Sequence, residues 1–207
     1  MRCIPTMVLF SLLMSWSWAV AQEKTPARPG SGKAELSNAQ YTALALSGAP
    51  SGIAKDAGVV RPDKDGKMAT LRESKNGFNC MIGLGVPMCA DANSMGFMDA
   101  YMKNEAPPDK LGVTYMLAGD KGASNTDPRA TAKTADNHWI VTGPHIMILG
   151  PAAKSLGLTE AADPDPAAPY MMWAGTPYEH AMVPIGSPAK AQAAKKAANT
   201  ETKAEKK

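Results

Sequence analysis

Apolar positions between residues 35 and 185 follow two spacings. In "ELSNAQYTALALSGAP" Tyr41, Leu44 and Ala45 recur three and four apart, which predicts a helix over 37–47 with Ser37 as its cap and Gly48 and Pro50 as its stop. "DANSMGFMDAYMKNEAPPDK" predicts a second helix over 94–104: Met95, Met98, Tyr101 and Met102 share one face, Asn93 or Ser94 caps the start and Pro107 ends it. Elsewhere the apolar runs are short. "AGVVRPDKDGKMATLRE" reads as two strands joined at Asp65-Gly66, and "LGVTYMLAG", "HWIVT", "HIMIL", "YMMWAG" and "HAMVPI" have strand lengths. The polar stretch "DKGASNTDPRATAKTADN" is long for a loop inside a compact domain, which points to function or mobility. Together these elements predict an α+β fold: a single domain with a small antiparallel or mixed sheet and a few short helices.

The ends bound that domain. "MRCIPTMVLFSLLMSWSWAVAQEK" places Arg2 before an apolar stretch and small residues Ala19 and Ala21 after it, the order of a signal peptide, 1–21, cleaved after Ala21. The stretch is shorter than the roughly 20 residues a spanning helix needs, so no transmembrane segment is expected after cleavage. Residues 22–34 form a Pro- and Gly-containing linker, 35–185 the globular domain, and 186–207 a Lys- and Ala-rich tail expected to be disordered. The tail holds six lysines and two glutamates within a chain of formal charge +3, and with Arg2 set aside residues 22–185 are left at −2. Basicity therefore belongs to the tail, which suits contact with an anionic surface. A basic domain face for nucleic acid is excluded. The chain is expected to be exported, to the periplasm or the extracellular space.

Cys80 and Cys89 are the two cysteines beyond the signal peptide. An even pair in an exported chain reads as a disulfide, and Gly83, Gly85 and Pro87 between them suggest a tight surface loop. A sharper reading has reduced thiols joining Met81 and Met88 around Cu(I). Gly66 invites a calcium loop, but Arg61 would take the first ligand position, which excludes it. Phosphate-loop, dinucleotide, G-x-S-x-G, H-E-x-x-H and C-x-x-C patterns do not occur, so common enzyme classes have no support.

Two boxes remain, "PHIMIL" and "EHAMVPI". On a strand, His145 and Met147 share a face and Ile146 and Ile148 point the other way; His180 and Met182 likewise oppose Ala181, Val183 and Ile185. The β-branched faces are expected to be the core. If the two strands pair, His145, Met147, His180 and Met182 form one patch, covered by the Met face of the 94–104 helix, that suits a soft metal such as copper. Against this, eleven of the fourteen methionines follow the signal peptide, so Met near His also fits ordinary packing, and a histidine tied to a loop carbonyl is structural. The alternative is an enzyme or small-ligand cleft lined by His138, His145 and His180. There Asp136 could orient a catalytic histidine, and Trp139, Tyr170, Trp173 and Tyr178 would line the pocket rather than the core. Glu179 is a poor partner for His180, because adjacent strand residues face apart. Ser124 and Asn125 read as turn residues.

The boxes "NGFNCM", "PMCADANSM", "YMLAGDKGASNTDP", "TGPHIMI" and "PYMMWAGTPYEHAMVPI" resemble those of a group of exported bacterial proteins of unassigned function, over most of residues 48–185. The resemblance implies a secreted bacterial single domain and carries no activity or catalytic residue. The chain as a whole reads as a binding or structural module rather than an enzyme, with copper as the one cofactor suggested and no particular partner.

Overall fold

The computed structural model describes residues 35–186; the expected signal peptide and linker, and the tail beyond Gly186, lie outside them. Eight strands form one sheet, in spatial order β2 (Met68–Arg72), β1 (Gly58–Pro62), β3 (Asn79–Gly83), β4 (Val86–Ala90), β5 (Gly112–Met116), β8 (His145–Leu149), β10 (His180–Pro184) and β9 (Tyr170–Met172). Only β1 and β3 run parallel, so the sheet is mixed. β6 (Ala123–Ser124) and β7 (Trp139–Ile140) pair as a separate ribbon. With three short helices and a 3₁₀ turn among the described residues the α+β class holds, but the sheet is larger than the small one expected.

Much of the difference lies in the cysteine segment, which is a β3–β4 hairpin and not a surface loop. Leu84 and Gly85 adopt φ of 50° and 73°, the doubly positive turn that matches strand twist. A leucine at the first turn position hides that hairpin from pattern reading. Cys80 and Cys89 lie directly opposite each other with Cα atoms 3.9 Å apart and form a disulfide. Both sulfurs are buried beneath Tyr41 and Ala45 of α1 (Asn38–Leu46). Met81 and Met88 also pair directly, but on the opposite face. Their thioethers and the cysteine sulfurs therefore cannot surround one ion.

Local signals place the helices. Ser37 and Gln40 form a capping box on α1, and α2 (Ser51–Ala54) is a single turn behind Pro50. The cap of α3 (Ala92–Lys103) is Asp91 rather than Asn93 or Ser94. One carboxylate oxygen of Asp91 accepts from the Ser94 amide at 2.8 Å and the other from the Val113 amide at 2.9 Å, which locks the helix start to β5. Asn104, in left-handed conformation, closes the helix.

The two sheet faces have different cores. One carries Val59, the disulfide, Ile148, Met171 and Ala181 under α1 and the 3₁₀ turn Pro151–Leu156. The other carries Met81, Met88, Met116, Met147, Met172 and Met182, with Met95 and Met98 of α3 above them. The 120–137 stretch is anchored rather than loose: Ser124 Oγ accepts from the Thr126 and Asp127 amides, and Arg129 donates to the Tyr101 carbonyl and Asn104 Oδ1, both at 2.9 Å. The Arg129 guanidinium lies 4.2 Å from the Tyr101 ring centre, at the helix end where a cation is favoured.

α3 can rest directly on β5 because residue 112 has no side chain. A Cβ there would fall on the Ser94 amide nitrogen and 2.5 Å from its hydroxyl oxygen. Gly112→Ala is therefore expected to lower stability by about 1–3 kcal/mol in urea unfolding. Gly52→Ala in α2, where nothing lies within 4 Å of the added carbon, leaves stability unchanged or slightly raised.

Candidate functional site

β8 and β10 are antiparallel neighbours, and Met147 lies directly opposite Met182. His145 faces Pro184 and His180 faces Leu149, so the two His-x-Met segments run head to tail. The thioethers meet in the middle and the imidazoles stand at opposite ends, with Cα atoms four residue rises, roughly 13 Å, apart along the strands. On its other side β8 pairs with β5, which sets Met116 opposite His145 and Thr114 opposite Met147.

Three of the four box residues on this face are deeply buried, and Met147 is partly so. His145 is 0 % exposed and His180 and Met182 are 2 % exposed each, whereas Ile146, Ile148 and Val183 stay partly accessible. The expected β-branched core faces are thus reversed in depth. The reason lies in what covers them: α3 and Ile140 of the ribbon pack onto the His and Met side, while the 3₁₀ turn shields the other side of β8 and β10 only around Ile148 and Ala181.

Each buried imidazole is held the same way. His145 Nδ1 lies 2.7 Å from the Gly143 carbonyl oxygen and His180 Nδ1 lies 2.9 Å from that of Tyr178. A carbonyl can only accept, so Nδ1 carries the proton and Nε2 keeps its lone pair. The Nε2 of His145 is buried without a hydrogen-bond partner. Burial pushes both imidazoles below their ordinary range, His180 to about 4, with the His145 charge lowering His180 further. Both rings are neutral at neutral pH.

A polar network flanks His145. The Asp120 carboxylate accepts from the Gly122 and Thr142 amides at 2.9 and 3.0 Å; burial raises its pKa, and its charge acts on His145. The Thr142 hydroxyl meets the Tyr170 hydroxyl at 2.7 Å, and burial pushes Tyr170 up to about 12. Aromatic rings flank His180 instead. Trp173 stands edge-on at 4.9 Å and Phe97 at 6.1 Å. Trp173 holds a left-handed backbone, φ 57°, because its indole N–H donates to the Ser124 carbonyl, its amide donates to the Asn125 carbonyl, and its ring stacks on Tyr101 at 5.4 Å.

His138 stands apart. It lies at the start of β7, partly exposed, with Nδ1 2.9 Å from Asp163 rather than from Asp136. A cleft of about 290 Å³, lined by residues including Lys154, Thr176, Pro177 and Glu179, includes none of the three histidines. Glu179 accepts from the Gly175 amide at 2.7 Å and lies 3.6 Å from Lys154 Nζ. Tyr170 and Tyr178 are core residues and Asn125 pins the 161–162 backbone. Pattern reading missed Met116, because alternation gives its face but not the strand it meets.

Among the described residues no group of three or more His, Cys, Asp or Glu side chains is arranged to hold a metal, and no helix is long and apolar enough to cross a membrane. No protein-family model, curated protein or solved structure matches the chain, so function is read from the chemistry of this face.

Both histidines have folded pKa values below the unfolded value near 6.5, so the fold binds fewer protons than the unfolded chain between those values. Their contribution to stability is complete above about pH 6.5 and is lost as pH falls, in the case of His180 down to about pH 4, at up to about 1.4 kcal/mol per pH unit for one group. Asp120, shifted upward, opposes this at the acidic end of the window. Urea midpoints measured between pH 7.5 and 4.5 should fall, and His180→Gln should make the fall shallower.

Proposed function

We propose that the protein is an exported binding module that holds a soft metal such as copper on the His and Met face shared by β8 and β10, with His145, Met147, His180 and Met182 as the candidate donors along it. The observation that carries this reading is the Nε2 lone pair of His145, buried without a partner on the methionine face, where Met116 is the cross-strand neighbour of its residue. An orphaned buried acceptor costs about 1–3 kcal/mol, and a bound cation would relieve it. Metal-bound imidazoles typically have the other ring N–H held by a carbonyl or carboxylate, which is the state of both rings. Neutral imidazole and thioether donors favour copper over hard cations.

Export rests on the N-terminal leader and agrees with the Cys80–Cys89 disulfide; the resemblance to exported bacterial proteins points the same way. Periplasm or extracellular space is the expected location, with the basic tail available to an anionic surface. The enzyme or small-ligand reading is weaker, because His145 and His180 are closed off from solvent and His138 is held elsewhere.

Purified mature protein is expected to take up Cu(I) or Cu(II) stoichiometrically. The double variant His145→Ala, His180→Ala should lose that uptake while keeping its near-UV circular dichroism. A wild type that binds no copper refutes the reading. N-terminal sequencing of the exported protein should begin at Gln22; retention of residues 1–21 would refute the cleavage.

A further inference from the structure

Resting on the soft-metal reading, we infer that the ion sits at one end of the face only, bound by His145 Nε2 and the thioethers of Met116, Met147 and Met182 as a monovalent soft cation, Cu(I) or Ag(I), while His180 stays outside its coordination sphere.

Register places the donors. Met116 is the direct cross-strand partner of His145 from β5, and directly opposed side chains start with Cβ atoms about 4.5–5.5 Å apart. Met147 is two residues along β8 on the same face, and Met182 approaches diagonally from β10, opposite Met147. Register therefore sets one imidazole and three thioether side chains side by side on one face of three adjacent strands. The His180 end has a different character. Its strand partners are Leu149 and Met172, and its ring is wedged between the edges of Trp173 and Phe97. Of the two imidazoles, His145 is the one whose Nε2 is wholly shut off from solvent with no hydrogen-bond partner.

The donor set also decides oxidation state. Thioether sulfur is a soft ligand suited to Cu(I), whereas Cu(II) seeks tetragonal nitrogen and oxygen donors, and three of the four donors here are sulfur. A monovalent ion brings a single positive charge into the interior, and the Asp120 carboxylate, close enough to act electrostatically on His145, offsets it. Access is present as well: His145, Met116 and Met182 are 0 %, 3 % and 2 % exposed, but Met147 is only partly buried. Met147 is thus the member of the set with the most contact with solvent, and it gives the ion its way in.

The test uses the mature protein under anaerobic conditions, with Cu(I) partitioned against a chromophoric chelator and Ag(I) as a redox-inert probe followed by 15N NMR of the histidine rings. Met116→Leu keeps side-chain volume and should weaken Cu(I) at least tenfold with little change in melting temperature. His145→Gln should do the same, and His180→Gln should leave the affinity within about twofold. In the wild type Ag(I) should shift the Nε2 resonance of His145 and leave that of His180 in place. If His180→Gln abolishes binding, if Met116→Leu leaves it unchanged, or if Ag(I) shifts His180 instead of His145, this assignment is overturned while the soft-metal reading stands. If the wild type binds neither ion, both fall.

Discussion

Backbone hydrogen bonding between β8 and its two neighbours determines which side chains meet in the interior. β5 presents Met116 to His145 and Thr114 to Met147, and β10 presents Met182 to Met147. Side chains alternate with a period of two, so a slip of one residue in either pairing would turn His145 and Met147 outward and bring Ile146 and Ile148 in. The burial of His145, the orphaned Nε2 and the contact between the two His-x-Met segments all follow from that register.

The register needs support, because the core it organises is soft. Methionine is unbranched and adaptable, and it fills space without specifying one arrangement. A face built from six strand methionines and two from α3 would on its own be poorly defined. Definition comes from rigid features at its borders. The disulfide joins β3 to β4 on the opposite face, and Asp91 ties the start of α3 to β5 with both carboxylate oxygens. Arg129 holds the 120–137 stretch to the other end of α3. The strained backbone of Trp173 persists because two hydrogen bonds and a stacked ring secure it. Within this frame Ser94 Oγ, Thr114 Oγ1 and His145 Nε2 remain buried and unpaired, all on the side of the sheet beneath α3.

Much of the fold was legible locally. The α1 cap, the stop at Gly48 and Pro50 and the strand content of "HIMIL" and "HAMVPI" follow from propensity and period, and the disulfide from cysteine count and compartment. The misses have physical causes. Leu84 in a doubly positive turn lacks the usual Asn-Gly or Asp-Gly signature, so a hairpin read as a loop. Asp91 was passed over as a cap because Asn93 and Ser94 stand nearer the apolar repeat. The long polar stretch read as functional or mobile because its anchors, Tyr101, Asn104 and Tyr178, lie far away in the chain.

Alternation along a strand is a local property, and so the chain by itself determined that His145 travels with Met147 and His180 with Met182, and that neither shares a face with its adjacent isoleucine or alanine. It could not determine which face would be buried, since that depends on where α3 and the ribbon come to rest. Nor could it place Met116 beside His145. That contact closes across 28 residues of intervening chain, through loops whose course is set by distant hydrogen bonds. Only the tertiary structure decided that the two echoing boxes meet at their methionines with their histidines at opposite ends, because antiparallel pairing reverses one strand relative to the other.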